Sequence, residues 1–235
     1  EVHYRPMKIF AHRGFSHKFP EASLEAYVGA IEAGADGFEC DLRLSKDNVL
    51  VCFHDRTTYR VAGVRKFVSR HNLEELQSLA NIITFDELLT LAITHRKDVL
   101  AETKHPVLRS GKVERELIRT LEARSKEIQS SGIQITAMSF SYLAVRRLKK
   151  SYPHVAKIIK YTAAALMNRN KVVAVNVEIL RKHPGLLRRM RAETTYVWTV
   201  NSKEDLRWIK KRNVDGVITD RVIRAEKILK PTSSI

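Results

Sequence analysis

Short apolar runs alternate along the chain with longer segments in which apolar residues recur every three to four positions. The short runs predict β-strands, and the longer segments predict amphipathic helices. Residues 37–44 also carry charged side chains at every second position within an otherwise apolar run. The predicted strands are residues 8–12, 37–44, 49–54, 98–104, 133–140, 155–161, 172–180, 195–201 and 215–219.

The first helical segment, "SLEAYVGAIEAGA", contains signals for both of its ends. Ser23 is a plausible N-cap, since a serine side chain accepts a hydrogen bond from the first turn. Gly34 stands where a glycine commonly ends a helix. The sequence therefore predicts a helix between these two residues.

Strands that alternate with helices pair in parallel through right-handed crossovers. About eight such units within 235 residues predict an α/β fold, a (β/α)8 TIM barrel, with a short excursion over residues 55–83 after the second strand region. The alternative is an open doubly wound sheet, but the chain has only Gly14 where a glycine-rich phosphate turn would follow the first strand. We expect a single domain over residues 1–235.

The charge of the chain is strongly basic. Lys and Arg number 42 against 26 Asp and Glu, which gives a formal net charge of +16. Such a surface attracts anions, among them phosphodiesters, lipid head groups and nucleic acid. The runs "RRLKK", "LLRRMR" and "WIKKR" lie on predicted helices and indicate a solvated outer face, with peripheral contact to an anionic membrane as the alternative. No specific nucleic acid partner is expected, and the oligomeric state is left open.

No apolar run is long enough to span a bilayer, so we expect a soluble chain. A cytoplasmic location is favoured, and an exported mature form stays open because the sequence begins at Glu1. Cys40 and Cys52 lie in apolar runs and are expected to pack as small hydrophobic residues.

Charged residues cluster at the ends of the predicted strands, where a barrel of this kind has its active site. Glu39 and Asp41 are two residues apart, so their side chains point to the same face of one strand, and Glu102 and Lys104 repeat that spacing. Three converging carboxylates repel one another unless a cation lies between them. Oxygen ligands suit a hard divalent cation, and we predict Mg²⁺ or Ca²⁺ bound by Glu39, Asp41 and Glu102.

Two histidines, His12 and His54, end other predicted strands. A pair of histidines can give and take protons near neutral pH, which makes them candidate acid and base. Arg13 and Lys104 would supply fixed positive charge where a phosphoryl group gathers negative charge. These residue types together point to phosphoryl transfer.

The motifs that carry these residues resemble the glycerophosphodiester phosphodiesterase family, whose pattern runs HRG, PEN, E-x-D, HD and E-x-K. The matching stretches, in chain order, are "AHRG", "PEASLEAY", "GADGFECDLRLSKDNVLVCFHD", "AETKH", "VWTVN" and "DGVITD". Each motif alone is short, but their order and spacing are specific and extend over nearly the whole chain.

The resemblance implies a metal-dependent (β/α)8 barrel that cleaves a glycerophosphodiester to glycerol 3-phosphate and an alcohol. Glu21 matches the glutamate of PEN, whereas Ala22 stands where the family usually has Asn. By the same resemblance, Trp198 and, more weakly, Phe140 are candidates for stacking on the glycerol. The roles it implies for the other residues are metal ligands Glu39, Asp41 and Glu102, acid and base His12 and His54, and phosphate contacts Arg13 and Lys104.

Asp55, which follows His54, is interpreted as a turn residue or a hydrogen-bonding brace rather than a metal ligand. Two alternative functions stay open. One is a related barrel phospholipase acting on sphingomyelin, a lysophospholipid or a phosphoinositide. The other is a non-catalytic basic barrel that binds anions or membranes, although three carboxylates at its mouth would oppose that function.

Overall fold

The computed structural model describes residues 6–105 and 111–230, and within them eight parallel strands close into a barrel. In barrel order these are β1, β2, β4, β5, β6, β7, β8 and β9, with β9 paired back to β1. The strand bounds are β1 Lys8–His12, β2 Gly37–Leu44, β3 Leu50–Cys52, β4 Asp98–Thr103, β5 Ile135–Ser139, β6 Val155–Ile159, β7 Val172–Asn176, β8 Thr194–Trp198 and β9 Gly216–Thr219. The predicted (β/α)8 fold is confirmed.

Helices follow the strands on the outside of the barrel. Their bounds are α1 Leu24–Glu32, α2 Tyr59–Ala62, α3 Leu73–Gln77, α4 Phe85–Thr94, α5 Lys112–Ala123, α6 Ser125–Ser131, α7 Tyr142–Leu148, α8 Thr162–Leu166, α9 Val177–Lys182, α10 Leu186–Met190, α11 Lys203–Lys210 and α12 Val222–Leu229. Across the part of the chain described here, no helix is both long and apolar enough to cross a bilayer.

Helix α1 has the boundaries that its sequence predicts. The Ser23 side chain accepts a hydrogen bond from the Ala26 N–H, and Gly34 adopts a left-handed φ of 89° just beyond the helix. The short α2 and α3, with a single 3₁₀ turn between them, lie within the predicted excursion over residues 55–83.

Two strand predictions were wrong in part. Residues 49–54 form only the short β3, which pairs antiparallel with the end of β2 and is not a barrel strand. Residues 177–180, predicted as the end of a strand, begin helix α9. The Asn176 side chain accepts hydrogen bonds from the Glu178 and Ile179 N–H groups, and this cap begins a helix within the mostly apolar run.

The barrel interior is divided into an apolar floor and a charged layer above it. The floor consists of Phe10, Leu100, Met138, Ala156, Ile158, Ala174, Tyr196 and Ile218. Gly37 contributes no side chain there because a Cβ would lie 2.6 Å from the Phe10 ring and 2.5 Å from the Asp98 carbonyl. Two residues further along several strands, the inward-facing side chains are polar. The ends of the strands therefore place polar groups directly above the apolar floor.

Candidate active site

Three buried carboxylates meet at the ends of β2 and β4. Glu39, Asp41 and Glu102 each offer an oxygen within 4.8 Å of the others. All three are nearly excluded from solvent, with exposures of 3%, 2% and 6%. The two strands are neighbours in register, with Asp41 opposite Glu102, so the period of two along each strand places all three carboxylates inside the barrel.

Two cations contact this cluster. Lys104 Nζ lies 2.8 Å from both Asp41 Oδ1 and Glu102 Oε1. Arg13 Nε lies 2.8 Å from Asp41 Oδ2, although the pair is not aligned as a hydrogen bond. Burial alone would raise the pKa of Asp41, but Lys104 and Arg13 hold it well below its ordinary value. Asp41 is therefore the firmly ionised member of the cluster.

The other two carboxyls lack sufficient positive charge. Burial, and then the negative charge of Asp41, raise the pKa of Glu39 to about 7 and that of Glu102 to about 8. With only the protein's own cations nearby, each of these two carboxyls is therefore partly protonated near neutral pH. A set of three carboxylate oxygens that is short of positive charge fits a hard divalent cation, which would favour the ionised form of all three.

The two histidines are each held through Nδ1 by a carboxylate. His12 Nδ1 lies 2.6 Å from Asp220 Oδ1, and His54 Nδ1 lies 2.7 Å from Asp55 Oδ1. Burial would lower the pKa of His12, but the Asp220 hydrogen bond and the charge of Glu39 raise it. Burial lowers the pKa of His54. Because Nδ1 is engaged in each ring, Nε2 is the nitrogen available for proton exchange.

A cavity of about 260 Å³ joins these groups. His12, His54, Glu39 and Glu102 are among its lining residues. Its apolar lining consists of Phe140 and Trp198 and of the floor residues Met138, Ile158, Ala174 and Ile218, and Lys160 also lines it. The cavity therefore offers a ligand both charged groups and carbon surface.

Comparison with known proteins decides the family. The sequence profile of the glycerophosphoryl diester phosphodiesterase family matches residues 12–224. The chain belongs to this family. It is accordingly an enzyme that hydrolyses phosphoric diesters, and the predicted family membership is confirmed.

Family relatives resemble the chain over most of its length. "Probable glycerophosphodiester phosphodiesterase 1" of Mycobacterium tuberculosis is 30% identical, and the match covers 90% of this chain and 88% of that protein. The crystal structure of a glycerophosphodiester phosphodiesterase from Thermotoga maritima is 27% identical, with a TM-score of 0.80 over 96% of this chain and 99% of the other. An Oleispira antarctica phosphodiesterase, solved with the product sn-glycerol-3-phosphate, is 18% identical with a TM-score of 0.72 over 95% and 96% of the two chains.

The two aromatic residues that are candidates for stacking on the glycerol both line the cavity. Phe140 and Trp198 pack edge to face, with ring centroids 5.6 Å apart. The Trp198 Nε1–H donates to the Ala174 carbonyl at 3.0 Å, which fixes the indole plane. The two rings thus offer a joint apolar surface to the cavity.

Glu21 and Asp55 both lie beside the charged half of the cavity and share one partner. Glu21 Oε1 accepts a hydrogen bond from Arg13 at 3.2 Å. Arg60, from α2 in the excursion, donates to Glu21 at 2.7 and 2.8 Å and to Asp55 at 2.6 Å. One guanidinium therefore joins the acid that contacts Arg13 to the acid that contacts His54.

Ala22, the departure from the family pattern, has a left-handed φ of 58° and is buried. Its N–H donates to the Arg13 carbonyl at 2.8 Å, so the backbone at this position supports the site. Asn tolerates this conformation better than Ala. The substitution thus adds local strain without removing a charged group.

Sequence reasoning missed three polar residues of the site. Asp220 ends the apolar run of β9 and Lys160 ends that of β6, which is the same signal that marked His12. Lys160 lines the cavity, and Asp220 also accepts hydrogen bonds from Ser16 and Asn201. Arg60 lies in irregular sequence, and no periodicity marks it.

Proposed function

We propose that the enzyme hydrolyses glycerophosphodiesters to glycerol 3-phosphate and an alcohol, using a divalent cation and a histidine pair. One observation carries this proposal most strongly. Three buried carboxylates and two carboxylate-held histidines meet at a single cavity whose remaining lining is mostly apolar. Neither half of that arrangement is needed by a barrel that only binds anions.

Glu39, Asp41 and Glu102 would hold the cation. When bound, Mg²⁺ or Ca²⁺ supplies positive charge that orients the phosphate and stabilises charge on its oxygens. The raised pKa values of Glu39 and Glu102 support this assignment, because the neighbouring cations do not compensate for the burial of both carboxyls and the charge of Asp41. Arg13 and Lys104 line the same cavity and add fixed positive charge toward the phosphate.

His12 and His54 act as the acid and base. One takes the proton of the attacking oxygen through Nε2, and the other gives a proton to the leaving alkoxide. Asp220 and Asp55 fix the ring orientations through Nδ1 and stabilise the protonated forms. The pair thus accepts one proton from the attacking oxygen and donates one proton to the leaving group at the same phosphate.

Phe140 and Trp198 bind the carbon side of the glycerol moiety. Their edge-to-face pair lines the same cavity as the charged groups, and the carbon–hydrogen bonds of glycerol would pack on it. The relative from Oleispira antarctica, solved with sn-glycerol-3-phosphate, supports glycerol 3-phosphate as the product.

The test is the release of glycerol 3-phosphate from glycerophosphocholine and from glycerophosphoethanolamine, with Mg²⁺ or Ca²⁺ present. We expect release by the native enzyme and its loss in His54→Ala. Cys40→Ala, on the opposite face of β2, is the control and should retain turnover while losing some stability. Release of phosphocholine instead, or hydrolysis of lysophospholipids alone, would refute the proposed reaction.

A further inference from the structure

An exposed apolar surface lies beside the mouth of the active-site cavity. Residues 161–168, "YTAAALMN", contain no charged side chain, in a chain of which 29% of residues are charged. Tyr161, Leu166 and Met167 are 67%, 49% and 80% exposed. Tyr142 and Leu143, which follow the neighbouring strand β5, are more than half exposed. We call these five residues the apolar rim.

The rim adjoins residues that line the active-site cavity. Lys160 lines that cavity, and its Nζ lies 5.9 Å from the centre of the Tyr161 ring. Phe140, two residues before Tyr142, also lines it. A binding partner that covers the rim would therefore lie next to the entrance of the active-site cavity.

On its other side the rim borders a basic depression. This open depression, of about 1080 Å³, is lined by Thr162 and Leu166 of α8 and by residues of α9, α10 and the turn between them. Its cationic lining residues are Lys182, Arg188, Arg189 and Arg191. No acidic side chain is among the described residues that line it, and no ion pair involves these four within the described chain. Their charge is thus available to an anionic partner.

We propose that the apolar rim and the basic depression together dock the enzyme onto an anionic lipid bilayer. Exposed Tyr, Leu and Met side chains insert at the level of the head groups, and adjacent Lys and Arg bind the anionic head groups themselves. The net charge of +16 adds long-range attraction to the same partner. Charge complementarity favours a bilayer over a second copy of this chain, which is itself strongly basic. The inference goes beyond the proposed reaction, because docking needs no turnover.

The experiment is flotation of the purified protein with vesicles of phosphatidylcholine alone and of equal parts phosphatidylglycerol and phosphatidylcholine, at about 0.15 M salt. We expect binding to the anionic vesicles only. Arg188→Glu/Arg189→Glu should weaken the partition at least about tenfold, since each cation near such a surface contributes about 1 kcal/mol. Leu166→Ser/Met167→Ser should weaken it by a similar factor, and Tyr161→Ser is the independent single variant.

Matched controls lie elsewhere on the barrel. Leu24→Ser/Val28→Ser removes two exposed apolar residues from α1, which follows β1, the strand across the barrel from β6. Lys126→Glu/Lys211→Glu reverses two exposed charges on segments that lead into the opposite end of the strands. Both controls should bind vesicles as the native protein does. Every variant should hydrolyse a soluble glycerophosphodiester normally, which separates docking from the proposed reaction.

Four results would overturn the proposal. They are absence of binding to anionic vesicles, equal losses in the control and rim variants, binding unchanged in Leu166→Ser/Met167→Ser, and a protein dimer that the same double variant splits. The third would show attraction by charge alone, and the fourth would show that a second copy covers the rim.

Discussion

Replacing Glu102 with glutamine separates the charge of the carboxylate cluster from its shape. Glutamine keeps an oxygen that can accept the Lys104 hydrogen bond, which in the native site spans 2.8 Å, but it cannot ionise. In the folded protein the pKa of Glu102 is raised to about 8, first by burial and then by Asp41. Near pH 7 and without a divalent cation, glutamine therefore resembles the predominant protonated form.

The magnitude follows from that pKa. Raising a carboxyl pKa from 4.5 to about 8 destabilises its ionised form by on the order of 5 kcal/mol, since each pH unit corresponds to about 1.4 kcal/mol. Because the folded-state pKa lies above the unfolded one, the native protein loses this stability as the pH rises from about 4.5 through 8. Glu102→Gln cannot ionise at this position and therefore does not lose stability in this way as the pH rises. In chelator, it should equal the native protein in stability at low pH and exceed it as the pH rises.

A divalent cation should offset much of this difference. At a concentration about 100-fold above Kd, a cation that binds only the folded state stabilises it by about 2.7 kcal/mol. For a chain of this size that corresponds to a rise in Tm of about 5–10 °C. We expect this rise in the native protein and none in Glu102→Gln, measured by thermal unfolding with and without Mg²⁺ or Ca²⁺.

Glu114→Gln is the matched control. Glu114 is also a buried carboxylate, but it pairs with His105 and Arg147, outside the cluster. Burial would raise its pKa, yet these partners lower it, so its loss should cost stability and leave the cation response intact. A native-sized cation response in Glu102→Gln, or a loss of several kcal/mol by that variant in chelator, would refute the reasoning.

Three further predictions concern the groups around the cluster. Asp220→Asn removes the carboxylate whose hydrogen bond raises the pKa of His12, so the limb of the pH–rate profile that belongs to His12 should move to lower pH. An unmoved profile would contradict this. Arg60→Ala removes the hydrogen bonds to Glu21 and Asp55 and should lower kcat about tenfold or more with little change in KM. Arg60→Lys should not restore kcat, because lysine cannot form the forked contacts of a guanidinium. Ala22→Asn should raise the free energy of unfolding by up to about 1 kcal/mol, measured by denaturant titration, because Asn accepts the left-handed backbone; a lower value would show that the amide does not fit.

The barrel and its carboxylates could be predicted because they depend on local periodicity. Alternation of two places Glu39 and Asp41 on one face of β2, and the same rule applies to Glu102 on β4. The end of β7 could not be predicted this way. The apolar run continues past Asn176, and only the hydrogen bonds of its side chain to the following N–H groups convert the chain to helix.

The hydrogen-bond partners that lie far apart in the chain could not be predicted from the sequence for a different reason. Asp220 contacts His12 across 208 positions, and nothing local distinguishes it from any acid at a strand end. Arg60 reaches Glu21 across 39 positions from a segment without regular period. Barrel closure and the excursion bring these groups together, so only the folded structure identifies which residues they pair with.

The most direct test of the account is the dependence of glycerol 3-phosphate release on divalent cation. Enzyme freed of metal by chelation and dialysis is given Mg²⁺ or Ca²⁺ stepwise, with glycerophosphocholine as substrate. The account predicts no release without cation, saturable recovery by the native enzyme, and no recovery by Glu39→Gln. Full turnover in the presence of chelator, or equal recovery by Glu39→Gln, would contradict a cation held by these carboxylates.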